Sequence, residues 1–126
     1  MDQNKIILSE LPKTWFIDLD GTLLKHNGYK EDGIDTLIPK SIEFIKKIPT
    51  KDTIIFVTSR ESAYSLETEE FLKKNQIRYN QIIYDIPMGE RILINDDKPS
   101  GLITAYAINV KRNEGIDVDI ELNPRL

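Results

Sequence analysis

Cysteine is absent from this 126-residue chain. It therefore has no disulfide, no thiolate metal site and no cysteine nucleophile. An excess of positive charge is absent too. Lys and Arg number 17 against 21 Asp and Glu, for a net charge of −4, and no basic stripe stands out. That argues against nucleic acid as a partner held by charge. No apolar run approaches membrane-spanning length, and Met1 to Glu10 is too polar for a signal peptide. The expectation is a cytoplasmic protein with no membrane partner. Repeats and low-complexity tracts are also missing. What remains is ordinary for a globular protein, at 40% hydrophobic and 30% charged residues. The length suits one domain, 1–126, with a core that needs no staples.

The chain is organised around Trp15-Phe16-Ile17-Asp18-Leu19-Asp20-Gly21-Thr22-Leu23-Leu24. The aromatic and β-branched start reads as a short buried strand, bounded by Pro12 and Gly21. Two carboxylates follow, with one residue between them. Charge at the end of a buried strand is costly unless a metal, a partner or a reaction uses it. Where the strand opens into a loop, Asp18 and Asp20 can converge on one point, and Gly21 permits the sharp turn. A calcium loop of the EF-hand type would need Gly at its sixth position and Glu at its twelfth. Counted from Asp18, those positions hold Leu23 and Tyr29, so that reading fails.

Further along, Ile38, Ile42, Ile45 and Ile48 recur at helical spacing, with Pro39 in the first turn and Pro49 as a stop. Thr53 to Arg60 reads as a second strand, continuously apolar as a parallel strand buried on both faces should be. Glu61 to Asn75 reads as a second helix, with Tyr64, Thr68, Phe71 and Leu72 on one face and Lys73-Lys74 suiting its end. Gln81 to Asp85 is a third strand. Arg91 to Pro99 is a fourth, with the paired acids Asp96-Asp97 near its end. Thr104 to Val110 is a fifth. Lys111 to Gly115 leaves that strand near the site end of the sheet. Ile6-Ile7-Leu8 is either a short strand or a covering arm, and Ile116 to Leu126 is an added strand, a short helix or a tail. The sum is an α/β domain, a Rossmann-like three-layer sandwich with a mainly parallel sheet. Its site belongs at the carboxyl ends of the strands.

Asp18-Leu19-Asp20-Gly21-Thr22-Leu23 resembles the first motif of the haloacid dehalogenase (HAD) superfamily, which is largely phosphatases. The resemblance implies that Asp18 attacks phosphorus to form an aspartyl-phosphate and that Asp20 acts as general acid and then general base. It implies Mg2+ as cofactor, held by Asp18, by the backbone carbonyl of Asp20 and by an acid from a later strand. Those types suit the chemistry: a carboxylate can form an acyl-phosphate, a second acid must serve the leaving oxygen and then water, and a hard cation neutralises phosphoryl charge. Thr58 matches the second motif, which binds phosphoryl oxygens, with Ser59 the alternative by one residue and a capping hydroxyl the plain structural role. Arg60 either meets substrate or phosphate, or pairs with Glu61 or another surface acid. Ile94-Asn95-Asp96-Asp97 resembles the fourth motif. Asp96 is then the metal ligand, Asp97 the secondary one, and Asn95 orients them.

The family's third-motif lysine has no clear counterpart. Lys98 is the first candidate for that cation and Arg91 the second, although Arg91 lies at the wrong end of its expected strand. Lys98 could equally form a local salt bridge. His26, the one histidine, falls in the polar stretch beside the first motif and is a candidate substrate contact. The fourteen residues between Leu24 and Pro39 cannot form a cap domain, so the resemblance is to capless members. Those take large substrates or complete an open site by oligomerising.

The resulting expectation is a Mg2+-dependent phosphomonoesterase. Its substrate would be a small phosphorylated metabolite, such as a sugar or polyol phosphate of surface-polysaccharide or nucleotide-sugar synthesis. Three alternatives stand beside it: a receiver-like phospho-acceptor, a non-catalytic binding module, and a phosphatase of a macromolecular substrate. Asp20 discriminates against the receiver, which has no acid two residues after its acceptor.

Overall fold

The computed structural model describes residues 4–126, so Met1 to Gln3 of the N-terminal segment lie outside the described residues. In chain order the elements are β1 (Asn4–Leu8), β2 (Thr14–Asp18), α1 (Gly28–Glu31) and α2 (Pro39–Lys46), then β3 (Thr53–Val57), a 3-10 turn (Ser62–Tyr64), α3 (Ser65–Lys74), β4 (Gln81–Ile83) and β5 (Val118–Leu122). The fold is α/β with parallel sheets, of the Rossmann-like kind. β2, β3 and β4 form one sheet in that order, all parallel. β1 and β5 form a second, two-stranded parallel sheet. Both open alternatives at the two ends of the chain thus resolve as strands.

Register explains the core. Ile17 pairs with Phe56, and Trp15 with Ile54, so these four side chains share one sheet face. Ile42 and Ile45 of α2 and Leu72 of α3 join Ile17, Ile54 and Phe56 in a single cluster with Leu19, Leu23 and Leu24. The Ile periodicity of α2 is therefore the stripe that meets the sheet. Phe16 lies on the other face and is 54% exposed. Asp52 anchors the start of the sheet: it is buried, and its carboxylate accepts from the Lys13 N–H at 3.1 Å and the Trp15 indole N–H at 3.0 Å.

Two expected strands do not form. Residues 91–99 and 104–110 are extended and irregular, with Ile92 82% and Ile94 90% exposed. The connection supplies the reason. A return to a parallel neighbour needs a crossover of a dozen residues or more, and only seven separate Ile83 from Arg91. Those residues are also pinned at the carboxyl end of β3. Asp85 donates its N–H to the Arg60 carbonyl at 2.9 Å, and Ile86 donates to the Thr58 carbonyl at 3.1 Å. The chain leaves β4 across the carboxyl end of the sheet. Among the described residues, no helix is long and apolar enough to cross a membrane.

Candidate active site

β2 ends at Asp18, and β3 ends one residue before Thr58. Their parallel pairing, Asp18 opposite Val57, brings the first motif and the 58–60 turn to one edge. The motif loop closes tightly: Gly21 donates to the Leu24 carbonyl at 2.7 Å, and Leu24 donates to the Leu19 carbonyl at 2.9 Å. Gly21 has φ 86°, in the left-handed region where a side chain would strain.

The two carboxylates meet unlike surroundings. Asp18 retains 32% side-chain exposure. One of its oxygens accepts from the Thr22 hydroxyl at 3.0 Å, and the other from Arg91 Nη1 at 2.6 Å. Asp20 is recessed, with 15% side-chain exposure. Its Oδ2 accepts from the buried Thr58 hydroxyl at 2.8 Å, and its Oδ1 from Arg60 Nη2 at 2.6 Å. The Thr58 hydroxyl in turn accepts the Arg60 backbone N–H at 2.9 Å.

Arg60 is almost wholly enclosed, with 1% side-chain exposure. It does not pair with Glu61 and does not reach outward to a substrate. Its guanidinium grips Asp35 with both nitrogens, at 3.0 and 2.9 Å, and donates to Thr68 Oγ1 at 2.8 Å. The Tyr29 ring lies 3.9 Å from its central carbon. Burial works against the charge, but the hydrogen bonds that Arg60 donates to Asp35 and Asp20 outweigh it and raise the Arg60 pKa above the ordinary arginine value.

The remaining sequence candidates divide. Arg91 reaches Asp18 because residues 91–99 are not a strand, so it arrives from the carboxyl end of the sheet. Lys98, the first choice for the balancing cation, is exposed and has no ion pair among the described residues. Asp96 and Asp97 are exposed as well. Asn95 orients neither; its amide donates to Thr104 Oγ1 at 3.0 Å. The hydroxyl of Ser59 takes no part in the bonds around Asp18 and Asp20 among the described residues. His26 borders the motif loop beside Gly21, and its backbone N–H donates to Asn113 Oδ1 at 2.8 Å.

The Mg2+ that the resemblance implies would meet an Asp18 whose two oxygens each already accept one hydrogen bond, from the Thr22 hydroxyl and from Arg91. Among the described residues, no three carboxylates or imidazoles come together to hold a metal.

Tyr29, Asp35 and Thr68 have no sequence signal of their own, because their contacts to Arg60 are made only by folding. Residues 111–115, although no strand precedes them, lie against the motif loop. Asn113 donates to the Gly21 carbonyl at 2.8 Å, and Ile116 donates to Ser41 Oγ at 3.0 Å. Gly115 permits that approach: its φ is 94°, and a Cβ there would lie 2.9 Å from Lys40 Cβ.

No protein-family model matches the chain, and no curated protein matches it. Two solved chains are similar. One belongs to the structure of the Pnkp1/Rnl/Hen1 complex, with 31% identity over 73% of this chain and 33% of that chain at a TM-score of 0.48. The other belongs to the structure of the Pnkp1/Rnl/Hen1 RNA repair complex, with 31% identity over 72% of this chain and 30% of that chain at a TM-score of 0.48. The chain spans about a third of the length of these solved chains.

Proposed function

We propose that the chain is a phosphomonoesterase of the HAD type. These residues would form a capless core domain that works through an aspartyl-phosphate at Asp18. One observation carries the reading: two carboxylates two residues apart at the end of β2 are held in different ways, Asp18 open and Asp20 recessed. A nucleophile must be reachable, and a proton-transfer group must be held still. A receiver-like acceptor would need no second acid bound this way.

The steps follow from those positions. An Asp18 oxygen attacks phosphorus while the bond from phosphorus to the leaving oxygen breaks. Asp20, protonated at that stage, gives its proton to the leaving oxygen. Asp20, now a carboxylate, takes a proton from water. The water oxygen attacks the aspartyl-phosphate, and the bond from phosphorus to Asp18 breaks to release phosphate. Arg91, at 2.6 Å from Asp18, offsets the repulsion between carboxylate and phosphate. The substrate class proposed is a small phosphorylated metabolite such as a sugar or polyol phosphate.

Phosphate release from sugar, polyol, amino-alcohol and nucleotide monophosphates tests the reading, with Mg2+ and with EDTA, for wild type and Asp18→Asn. Turnover lost in Asp18→Asn is expected. Absence of turnover on every compound contradicts the reading. Mg2+-dependent turnover that is lost, or that needs far more Mg2+, in Asp96→Asn would bring that carboxylate into the site of the working enzyme. A rate indifferent to EDTA would leave Arg91 as the balancing charge.

A further inference from the structure

Asp35 lies at the end of the polar stretch after the first motif, and its side chain is only 6% exposed. The stretch holds it firmly. Lys25 donates to the Thr36 carbonyl at 2.9 Å, Ile38 donates to the Leu23 carbonyl at 2.9 Å, and Leu24 bridges Leu37 antiparallel. Asp35 is thus tied by backbone bonds to the same loop that carries Asp20. Its only partner in the ion-pair chain is Arg60, which it grips in a two-pronged bond. Asp20 receives a single guanidinium bond. The position of the cation is therefore dictated by Asp35, by Thr68 and by the Tyr29 ring, and Asp20 takes its orientation from a cation already fixed.

We infer that Asp35 is a positioning residue that acts through Arg60 to hold the Asp20 carboxyl group in line for proton transfer to the leaving oxygen. The inference rests on the phosphatase reading. Its physical content is a competition. An enclosed guanidinium demands carboxylate partners. Without Asp35, Arg60 turns its free fork onto Asp20, and both oxygens of Asp20 are drawn into that grip. The Thr58 hydroxyl bond is then lost, and the oxygen that should face the leaving group points elsewhere. Misplacement on the ångström scale costs about 10- to 100-fold in such a step.

The leaving group supplies the test. An alkyl alcohol leaves poorly and needs the proton, whereas a dinitrophenol leaves without it. kcat/KM covers the steps up to the first irreversible one, the formation of aspartyl-phosphate. For Asp35→Asn, kcat/KM on an alkyl phosphate such as glycerol phosphate should fall about 10- to 100-fold. The same quantity on 2,4-dinitrophenyl phosphate should stay near wild type. Arg60→Lys keeps the charge but lacks the planar fork that grips Asp35 with two parallel bonds, and should show the same selectivity. Circular dichroism and the thermal midpoint report whether each variant is folded. An equal loss on both substrates overturns the inference and makes the ion-pair chain structural, as does failure of both variants to fold. Unchanged rates on both substrates also overturn it. A wild type inactive on both substrates overturns the phosphatase reading itself, and the inference with it.

Discussion

Two stretches of this chain obey the same sequence rule and meet different fates. Trp15 to Asp20 and Ile92 to Asp97 are each an apolar run that ends in paired acids. The first is built into the sheet, paired along its length with β3 and backed by α2 and α3. The second lies open, with Ile94 90% exposed where Phe56 of the sheet is fully buried. The difference is not composition. A strand is stable only with a partner, and a parallel partner must be reached by a long enough connection. β2 and β3 are joined by a chain that includes α2, whereas seven residues pinned to the top of the sheet lead out of β4. An apolar run ending in acids states a capacity, and the connection before it decides whether that capacity is used.

The contrast can be broken in several ways. The largest effect belongs to the built-in stretch. Asp18→Asn should lower turnover on the order of a thousandfold or more, as loss of a nucleophile does, without unfolding the chain. Next come the apolar residues. Phe56→Ala should cost about 3–5 kcal/mol in denaturant unfolding. Ile94→Ala should change stability by less than about 0.5 kcal/mol, as exposed substitutions do. Similar costs at the two positions would mean that the 92–97 stretch packs in solution.

Arg91→Gln sits on the boundary between the two regions. Its pair with Asp18 is more than a third exposed on the arginine side, so stability should change by less than about 1 kcal/mol. Phosphatase kcat/KM should fall while the thermal midpoint holds, because the residue would act on the phosphoryl charge and not on the fold. A drop in both would make Arg91 a structural tie.

The smallest effect concerns pH. Burial first, and then its hydrogen bond to Glu69 at 3.0 Å, raise the Tyr84 pKa well above the ordinary 10.0. The folded state therefore keeps a proton that the unfolded chain loses. The contribution is fully present below pH 10.0 and is lost as pH rises beyond it toward the folded value. Unfolding measured from pH 8 to 11 should show wild type and Tyr84→Phe converging at the alkaline end. A constant difference would contradict it.

Much of the first half was legible in the residues. The Ile38, Ile42 and Ile45 spacing gives α2, and the apolar runs at 15–17 and 53–57 give the parallel pair, because these signals are local and repeat along the chain. Asp18, Asp20 and Thr58 were legible as strand-end polar residues, and they do meet at one edge. Arg60 was legible only as a charge. That its partners would be Asp35 and Asp20, 25 and 40 residues away, depends on which loops the fold brings together. Arg91, the second choice for the balancing cation, is the one that pairs with Asp18, because the strand expected at 91–99 does not form.

The central claim is that Asp18 carries the phosphoryl group. It is tested most directly by mixing the protein with a turning-over phosphomonoester, quenching in acid within the first turnovers, and reading the peptides by mass spectrometry. A phosphoryl adduct is expected on the peptide containing Asp18, labile to hydroxylamine and absent from Asp18→Asn. Turnover with no adduct on that peptide, or an adduct that persists in Asp18→Asn, would contradict it.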